Sequence, residues 1–394
     1  MVFFPLPKLQ IDPLLSLRGF ACLMVVMAHS LPPRSTIYYQ NYDLTWLIFS
    51  PGGVAVRIFF CLSGYLIGKA FYNQRYTTQL SGIINFWRNR ALRIFPAYYS
   101  FVIILGLLFY PQIWQPENRL HLLRILTFTY DYTLPVDFHG AFWYVSTEVQ
   151  FYLIVPFIYI FLRDRLTKLK QIITTFIILI LFSLCLRLII WTLITTHTPL
   201  LDQQMNSFIS YIYIPLITNL ESFFCGFLVN ALIINQKAKE SINQTKKTFI
   251  TQPKLALLLI MLLYILTAYC RYHHQFYLLF IAPSITAILT SAFLYLIESD
   301  PYPKSYHFPQ TSFWELPLII FGYLGHFSYG IYIWHYPIIT KLTPILLISN
   351  NPLKAFFFRF IETITLSTLL AIATYYLIEQ PAIKLKKTSI RRVR

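Results

Sequence analysis

Long apolar runs, each closed by a short polar or basic stretch, recur from one end of the chain to the other. Runs of about 18–25 mostly apolar residues fall near 14–32, 52–72, 94–111, 142–162, 171–196, 208–235, 254–270, 276–298, 326–349 and 356–379, each long enough to cross the hydrocarbon of a bilayer as a helix. The pattern predicts an all-α, polytopic integral membrane helix bundle with about ten transmembrane helices. The segments 85–93, 120–130 and 313–325 are shorter or more mixed, and are expected as interfacial or re-entrant pieces.

Composition agrees. Of the 394 residues 57% are hydrophobic, 18% aromatic and only 12% charged, and the mean hydropathy of +0.57 excludes a soluble multidomain protein. The net charge of +17 is scattered in short clusters between apolar runs rather than drawn into one stripe, so no nucleic-acid partner is expected. Membrane topology accounts for the charge better. With the N-terminus inside, Arg75, Arg88, Arg90 and Arg93, then Arg163, Arg165, Lys168 and Lys170, the lysines of the polar loop 235–254 and a basic tail at 380–394 all fall on the cytoplasmic side. Both termini are therefore expected to be cytoplasmic. One domain, 1–394, is expected, with no cleaved leader and no appended soluble domain. The five cysteines form no CxxC pair and read as small buried hydrophobes, and no metal site is indicated.

The costly residues are the informative ones. Arg18 and His29 lie in the first apolar run, eleven residues apart, near one face of a helix and about 16 Å apart along its axis. An arginine at mid-bilayer costs about 2.5–3.5 kcal/mol, so such a pair reads first as a site facing the bundle interior, with snorkelling to the interfaces as the plain alternative. Arg57, Lys69, Arg187 and Arg359 also fall inside spans. Ser63 and Gly64 sit in the second span, where small residues shape a ligand passage or pack helices. Arg90 and Arg93, one helical turn apart, would join Arg18 in a cationic mouth suited to phosphates, or simply anchor the inner interface. Glu148 is a carboxylate among aromatics, and His335 lies in Tyr332-Ile333-Trp334-His335. In this topology His29, Glu148 and His335 share the outer half while the arginines gather at the inner one. Arg359 and Glu362 read as an internal ion pair, and His273-His274 as a solvated loop.

Taken in order, these pieces resemble the membrane acyltransferase-3 family. The resemblance rests on Arg18 with ten residues and then His29, Phe59-Phe60-x-x-Ser63-Gly64, Arg90-x-x-Arg93, the segment Trp143 to Tyr152 with Ser146 and Glu148, the late Ser328-Tyr329 to Trp334-His335, and Glu379-x-Pro381. It implies a multi-pass O-acetyltransferase of the bacterial cytoplasmic (inner) membrane. Such an enzyme takes an acyl group, most often acetyl, from cytoplasmic acetyl-CoA and delivers it to a hydroxyl of a periplasmic glycan or glycolipid such as lipopolysaccharide O-antigen. Acetyl-CoA is then the donor substrate, and no metal is implied. On this reading His29 is the base or acyl relay, Glu148 orients or supports it, and His335 is a further catalytic candidate whose role is left open. Arg18, Arg90 and Arg93 hold the donor's phosphates, while Ser63 and Gly64 shape the passage for its pantetheine arm. The outer aromatics Trp114, Tyr130, Tyr132, Trp143 and Tyr144 would stack on sugars or form an interface belt. The competing reading is a transporter or flippase for a glycan or lipid-linked intermediate. Oligomeric state is left open.

Overall fold

The computed structural model describes residues 12–129, 142–198, 200–243, 252–299, 316–346 and 350–386. Eleven helices carry the membrane-length architecture: α1 Pro13–His29, α2 Gly52–Tyr72, α3 Leu80–Leu108, α4 Phe142–Leu162, α5 Leu169–His197, α6 Leu216–Asn243, α7 Gln252–His273, α8 Gln275–Glu298, α9 Leu316–His326, α10 Ser328–Pro337 and α11 Pro352–Thr374. Among the described residues eight helices are long and apolar enough to cross a membrane, α9 and α10 form a ninth candidate bent by 77°, and α1 is a shorter apolar helix of 17 residues. The protein is thus an all-α polytopic membrane bundle. It carries one addition that the sequence did not announce, a small antiparallel hairpin of β1 Tyr38–Tyr39 and β2 Tyr42–Asp43.

Two segment assignments change. Residues 85–93 are not an interfacial piece but the first half of the continuous 29-residue α3. The ninth span does not begin at 326: α9 enters from Leu316 and the chain breaks at Phe327. The reason lies in packing. Gly19 and Gly325 let α1 and α9 touch backbone to backbone, since a Cβ on Gly19 would lie 1.8 Å from the Phe321 carbonyl oxygen. Ser16 Oγ then donates to the Leu318 carbonyl at 2.8 Å. The helix must bend after this contact for α10 to return along α1.

The centre of the bundle is α2, which packs along α1, α6 and α8 and is buried over most of its length. α5 lies at the edge with Ile173, Ile177, Ile178 and Leu181 exposed, as expected of a helix whose outer surface meets lipid rather than water. α1 starts at a well-formed cap: Asp12 Oδ1 accepts from the Leu14 and Leu15 amides at 2.9 and 3.1 Å, and Pro13 opens the first turn. Its far end is held from outside. Arg359 of α11 donates to the carbonyls of Ser30 and Leu31 at 3.0 and 3.2 Å, satisfying acceptors that a helix C-terminus leaves open. Arg359 therefore does not form the expected ion pair with Glu362, and no salt bridge to Glu362 occurs among the described residues.

Candidate functional site

Two polar centres lie at opposite ends of α1. At the Arg18 end a cavity is lined by Arg18, Ser63, Arg90, Arg93, Glu148 and Tyr152, with Tyr144, Ser328, Tyr329 and Tyr332 and the apolar Phe59, Leu62, Leu66 and Ile94 completing its wall. Five helices supply these polar side chains: Arg18 from α1, Ser63 from α2, the two arginines from α3, Glu148 and Tyr152 from α4, and the tyrosines 329 and 332 from α10. Glu148 Oε1 accepts hydrogen bonds from Ser63 Oγ at 2.9 Å and from Tyr152 Oη at 2.5 Å. The carboxylate is thereby held by hydroxyls and not by the arginines. Arg90 instead faces the rings of Phe86 and Tyr152 at 5.5 and 5.4 Å.

Arg18 stands apart from the other cations that the sequence places inside spans. Arg57 donates to the Gly53 carbonyl at 2.9 Å, Lys69 reaches Glu298 at 2.5 Å, Arg187 pairs with Glu221 and donates to Ser284 at 2.8 Å, and Arg359 closes α1. Arg18 makes no hydrogen bond or salt bridge among the described residues, and its Nε is buried without a partner. It feels the repulsion of Arg93 and, opposing it, the attraction of Glu148. Glu379 is buried within electrostatic reach of Arg18 and Arg93, yet bonds to neither among the described residues. Near the same mouth Arg88 donates to the Leu385 carbonyl at 3.4 Å, tying down the start of the tail. Burial, with repulsion from Arg93, Arg90 and Arg75, pushes the Lys386 ammonium down to about 8. The basic tail of 380–394 is described only as far as Lys386.

At the other end of α1, His29 and His335 meet. His335 Nε2 lies 3.3 Å from His29 Nδ1, with the rings 5.1 Å apart. His29 Nδ1 is 2.9 Å from the Val25 carbonyl, and His335 Nδ1 bonds to the Tyr332 carbonyl. Carbonyls only accept, so both Nδ1 atoms carry the proton in these bonds, and the neutral His335 Nε2 is an acceptor facing His29 Nδ1–H. That leaves His29 Nε2 as the free lone pair of the pair. It makes no hydrogen bond among the described residues, and His29 is only part-buried whereas His335 is fully buried. The ring of Tyr336 stands edge-on to His29 at 5.7 Å.

The two centres are joined along α1 and along α10. Ser328 lines the cavity and His335, seven residues on, pairs with His29, a run of about 10 Å of helix. Between them stand Tyr332, Tyr144 and Phe59, with Tyr332 5.0 Å from Tyr144, 6.5 Å from Phe59 and 5.5 Å from the His335 ring.

Several sequence expectations are corrected by this arrangement. Glu148 does not bond to His29: it lines the cavity with Arg18 and is held by Ser63 and Tyr152. Gly64 does not line the cavity. A Cβ there would sit 1.8 Å from the Phe223 carbonyl oxygen, so the glycine exists to let α2 and α6 cross in contact. Ser63, its neighbour, does face the cavity. Trp143 and Tyr144 are 7% exposed and pack inside, Trp143 against Tyr213 at 4.9 Å, so they are no interface belt; Trp114 is exposed, and Tyr130 and Tyr132 lie outside the described residues. Tyr152 and Tyr332 went unremarked as site residues. The signal for Tyr152 was its position four residues after Glu148, one turn along the same helix face. Tyr332 had a parallel one, three residues before His335.

Comparison with known proteins adds the following. The sequence profile of a family described as an acyltransferase domain matches residues 14–377. The chain is 27% identical over 386 residues to the O-acetyltransferase OatA of Staphylococcus aureus (strain NCTC 8325 / PS 47), covering 93% of this chain and 56% of that protein. It is 27% identical over 356 residues to the peptidoglycan O-acetyltransferase OatA of Listeria monocytogenes serovar 1/2a, covering 82% and 52%. The chain thus spans about half the length of the curated relatives it matches. No solved structure matches it.

Proposed function

Since the chain belongs to the acyltransferase domain family, we propose that it is a membrane O-acyltransferase that moves an acyl group, most often acetyl, from acyl-CoA to a hydroxyl of a cell-envelope glycan. The observation that carries this reading is Arg18, a buried guanidinium with no partner among the described residues, which opens into a cavity alongside Arg90 and Arg93. Three arginines face two carboxylates here, Glu148 and Glu379, neither of them bonded to an arginine among the described residues, and an anionic ligand would neutralise the cationic excess. Guanidinium forks match phosphate oxygens in geometry as well as charge. The nucleotide phosphates of the donor bind at this mouth, which faces the cytoplasm of a bacterial inner-membrane protein with both termini inside. Its pantetheine arm follows α1 and α10 past Ser63, Tyr144 and Tyr332 towards the histidines.

His29 Nε2 takes the proton of the acceptor hydroxyl as its oxygen attacks the thioester carbonyl. The carbon–sulfur bond breaks, the acyl group stays on the acceptor oxygen, and the proton on His29 passes to the departing thiolate. His335 acts through His29: its Nε2 faces the Nδ1–H that the Val25 carbonyl also accepts, and the two acceptors together hold the tautomer that leaves Nε2 basic. An acyl relay on His29 uses the same lone pair. Glu148, seated with Ser63 and Tyr152, balances charge at the donor mouth rather than orienting His29. Lipopolysaccharide O-antigen is one acceptor of this chemistry; the printed name of the Listeria relative points to peptidoglycan. The test is reconstitution of the purified protein in lipid vesicles with labelled acetyl-CoA and either glycan. Label should pass to the glycan as an ester with wild type and not with His29→Ala, and transfer by the variant at the wild-type rate overturns the assignment.

A further inference from the structure

The hairpin that follows α1 has no part in the scheme above, yet it is built with care. Thr45 Oγ1 accepts from the amides of Thr36 and Ile37, each at 2.9 Å, and Asp43 Oδ1 accepts from the Thr45 amide at 2.9 Å. Asp43 Oδ2 accepts from Tyr272 Oη at 2.5 Å. Arg34 donates to the Tyr272 carbonyl at 3.0 Å and faces the rings of Phe49 and Tyr272 at 5.1 and 4.8 Å. The loop is thus pinned to the end of α7, whose preceding residue Arg271 bonds to the Ser50 carbonyl and interacts electrostatically with His29. The hairpin stands at the histidine end of the bundle.

Its outward face is aromatic. Tyr39 and Tyr42 are directly opposed in the ladder, and opposed residues project to the same side of a sheet. They are 65% and 70% exposed; Tyr38, opposite Asp43, projects to the other side. At the tip Gln40, held at a positive φ of 53°, and Asn41 present exposed amides. Asp43 is the only charged residue between 35 and 48, and its carboxylate is turned to Thr45 and Tyr272. Rings fixed on a rigid ladder, with uncharged amides beside them, suit a neutral sugar. The rings stack on the CH faces and lose few rotamers in doing so, while hydroxyls and amides meet the sugar's own hydroxyls. An anionic lipid surface, by contrast, selects lysine and arginine; residues 35–48 have none, and Arg34 before them is turned to Tyr272.

We infer that Tyr39 and Tyr42 form a sugar-binding platform that holds the acceptor glycan beside His29. The inference rests on the acyltransfer reading for its purpose, but its test does not depend on turnover. Equilibrium binding of peptidoglycan-derived and O-antigen oligosaccharides is measured on the full-length protein in nanodiscs, for wild type, the double variant Tyr39→Ala/Tyr42→Ala, and Tyr39→Trp/Tyr42→Trp. Loss of two stacking anchors should weaken binding of one glycan about tenfold or more, and the tryptophan variant should restore it. Equal binding by wild type and the alanine variant overturns the platform, as does a variant whose only defect is weaker association with lipid. Should wild type bind glycan through these tyrosines yet transfer no acetyl group, the platform stands and the acyltransfer reading falls.

Discussion

Replacing Arg18 by glutamine separates a ligand-binding charge from a structural one. Arg18 has no hydrogen bond or salt bridge among the described residues and is repelled by Arg93, so Arg18→Gln removes a buried charge that no bonded acid partners and should leave thermal stability unchanged or raised. In the donor complex the same residue would make charge-assisted bonds to phosphate, each contributing about 1.5–3 kcal/mol. The KM for acetyl-CoA should therefore rise about 10–150-fold. Acetyl-pantetheine, which lacks the nucleotide phosphates, should show the same KM with either protein. Arg187→Gln is the contrasting control. It breaks a fully buried pair and strands Glu221 in the interior, which costs about 3–5 kcal/mol of stability. Transfer kinetics with both donors and melting curves in nanodiscs provide the readouts. An Arg18→Gln protein that melts markedly earlier, or whose KM for acetyl-CoA is unchanged, refutes the reasoning.

Further expectations concern the histidines, a glycine and the tail. His29→Ala should lower transfer by about 10²–10⁴-fold without loss of folded protein, measured by initial rates and size-exclusion profiles. His335→Gln offers an amide oxygen to His29 Nδ1–H and should retain more kcat than His335→Ala, since that residue only positions its partner; equal losses in the two variants contradict that role. Gly64→Ala must push α2 off the Phe223 carbonyl and should destabilise the bundle by about 1–3 kcal/mol or more, seen as a lower melting temperature. Lys386, held at about 8 against an ordinary 10.5, binds fewer protons folded than unfolded between those values, so its repulsive penalty stands in full below pH 8 and is relieved as pH climbs towards 10.5. Wild type should gain stability over that window relative to Lys386→Met, and donor affinity should fall through pH 8 in wild type alone.

The membrane architecture was legible because length and hydropathy are local properties: ten apolar runs anticipate the bundle. The Arg18, Arg90 and Arg93 grouping was legible for the same reason, since topology sorts basic residues by side. What the sequence withheld depended on tertiary contact. Glu148 looked like a partner of His29 because both fall in the outer halves of their spans, but helices enter at different heights and α4 sets Glu148 beside Ser63. Gly64 looked equally suited to ligand and helix, and only the Phe223 carbonyl decides. The bend at Phe327 follows from the α1–α9 contact through Gly19 and Gly325, two glycines 306 positions apart in sequence. Arg359 has an acidic residue one turn away, yet it finds the end of α1 instead.

The central claim is that an acyl group enters at the Arg18 cavity and leaves at the histidine pair, on opposite faces of the membrane. Vesicles reconstituted in one orientation, with labelled acetyl-CoA on one side and glycan on the other, test it directly. Ester should form only when acetyl-CoA faces the side bearing Arg90, Arg93 and Lys386 and the glycan faces His29 and the tyrosine hairpin. Transfer when both substrates are confined to the Arg18 side would contradict it.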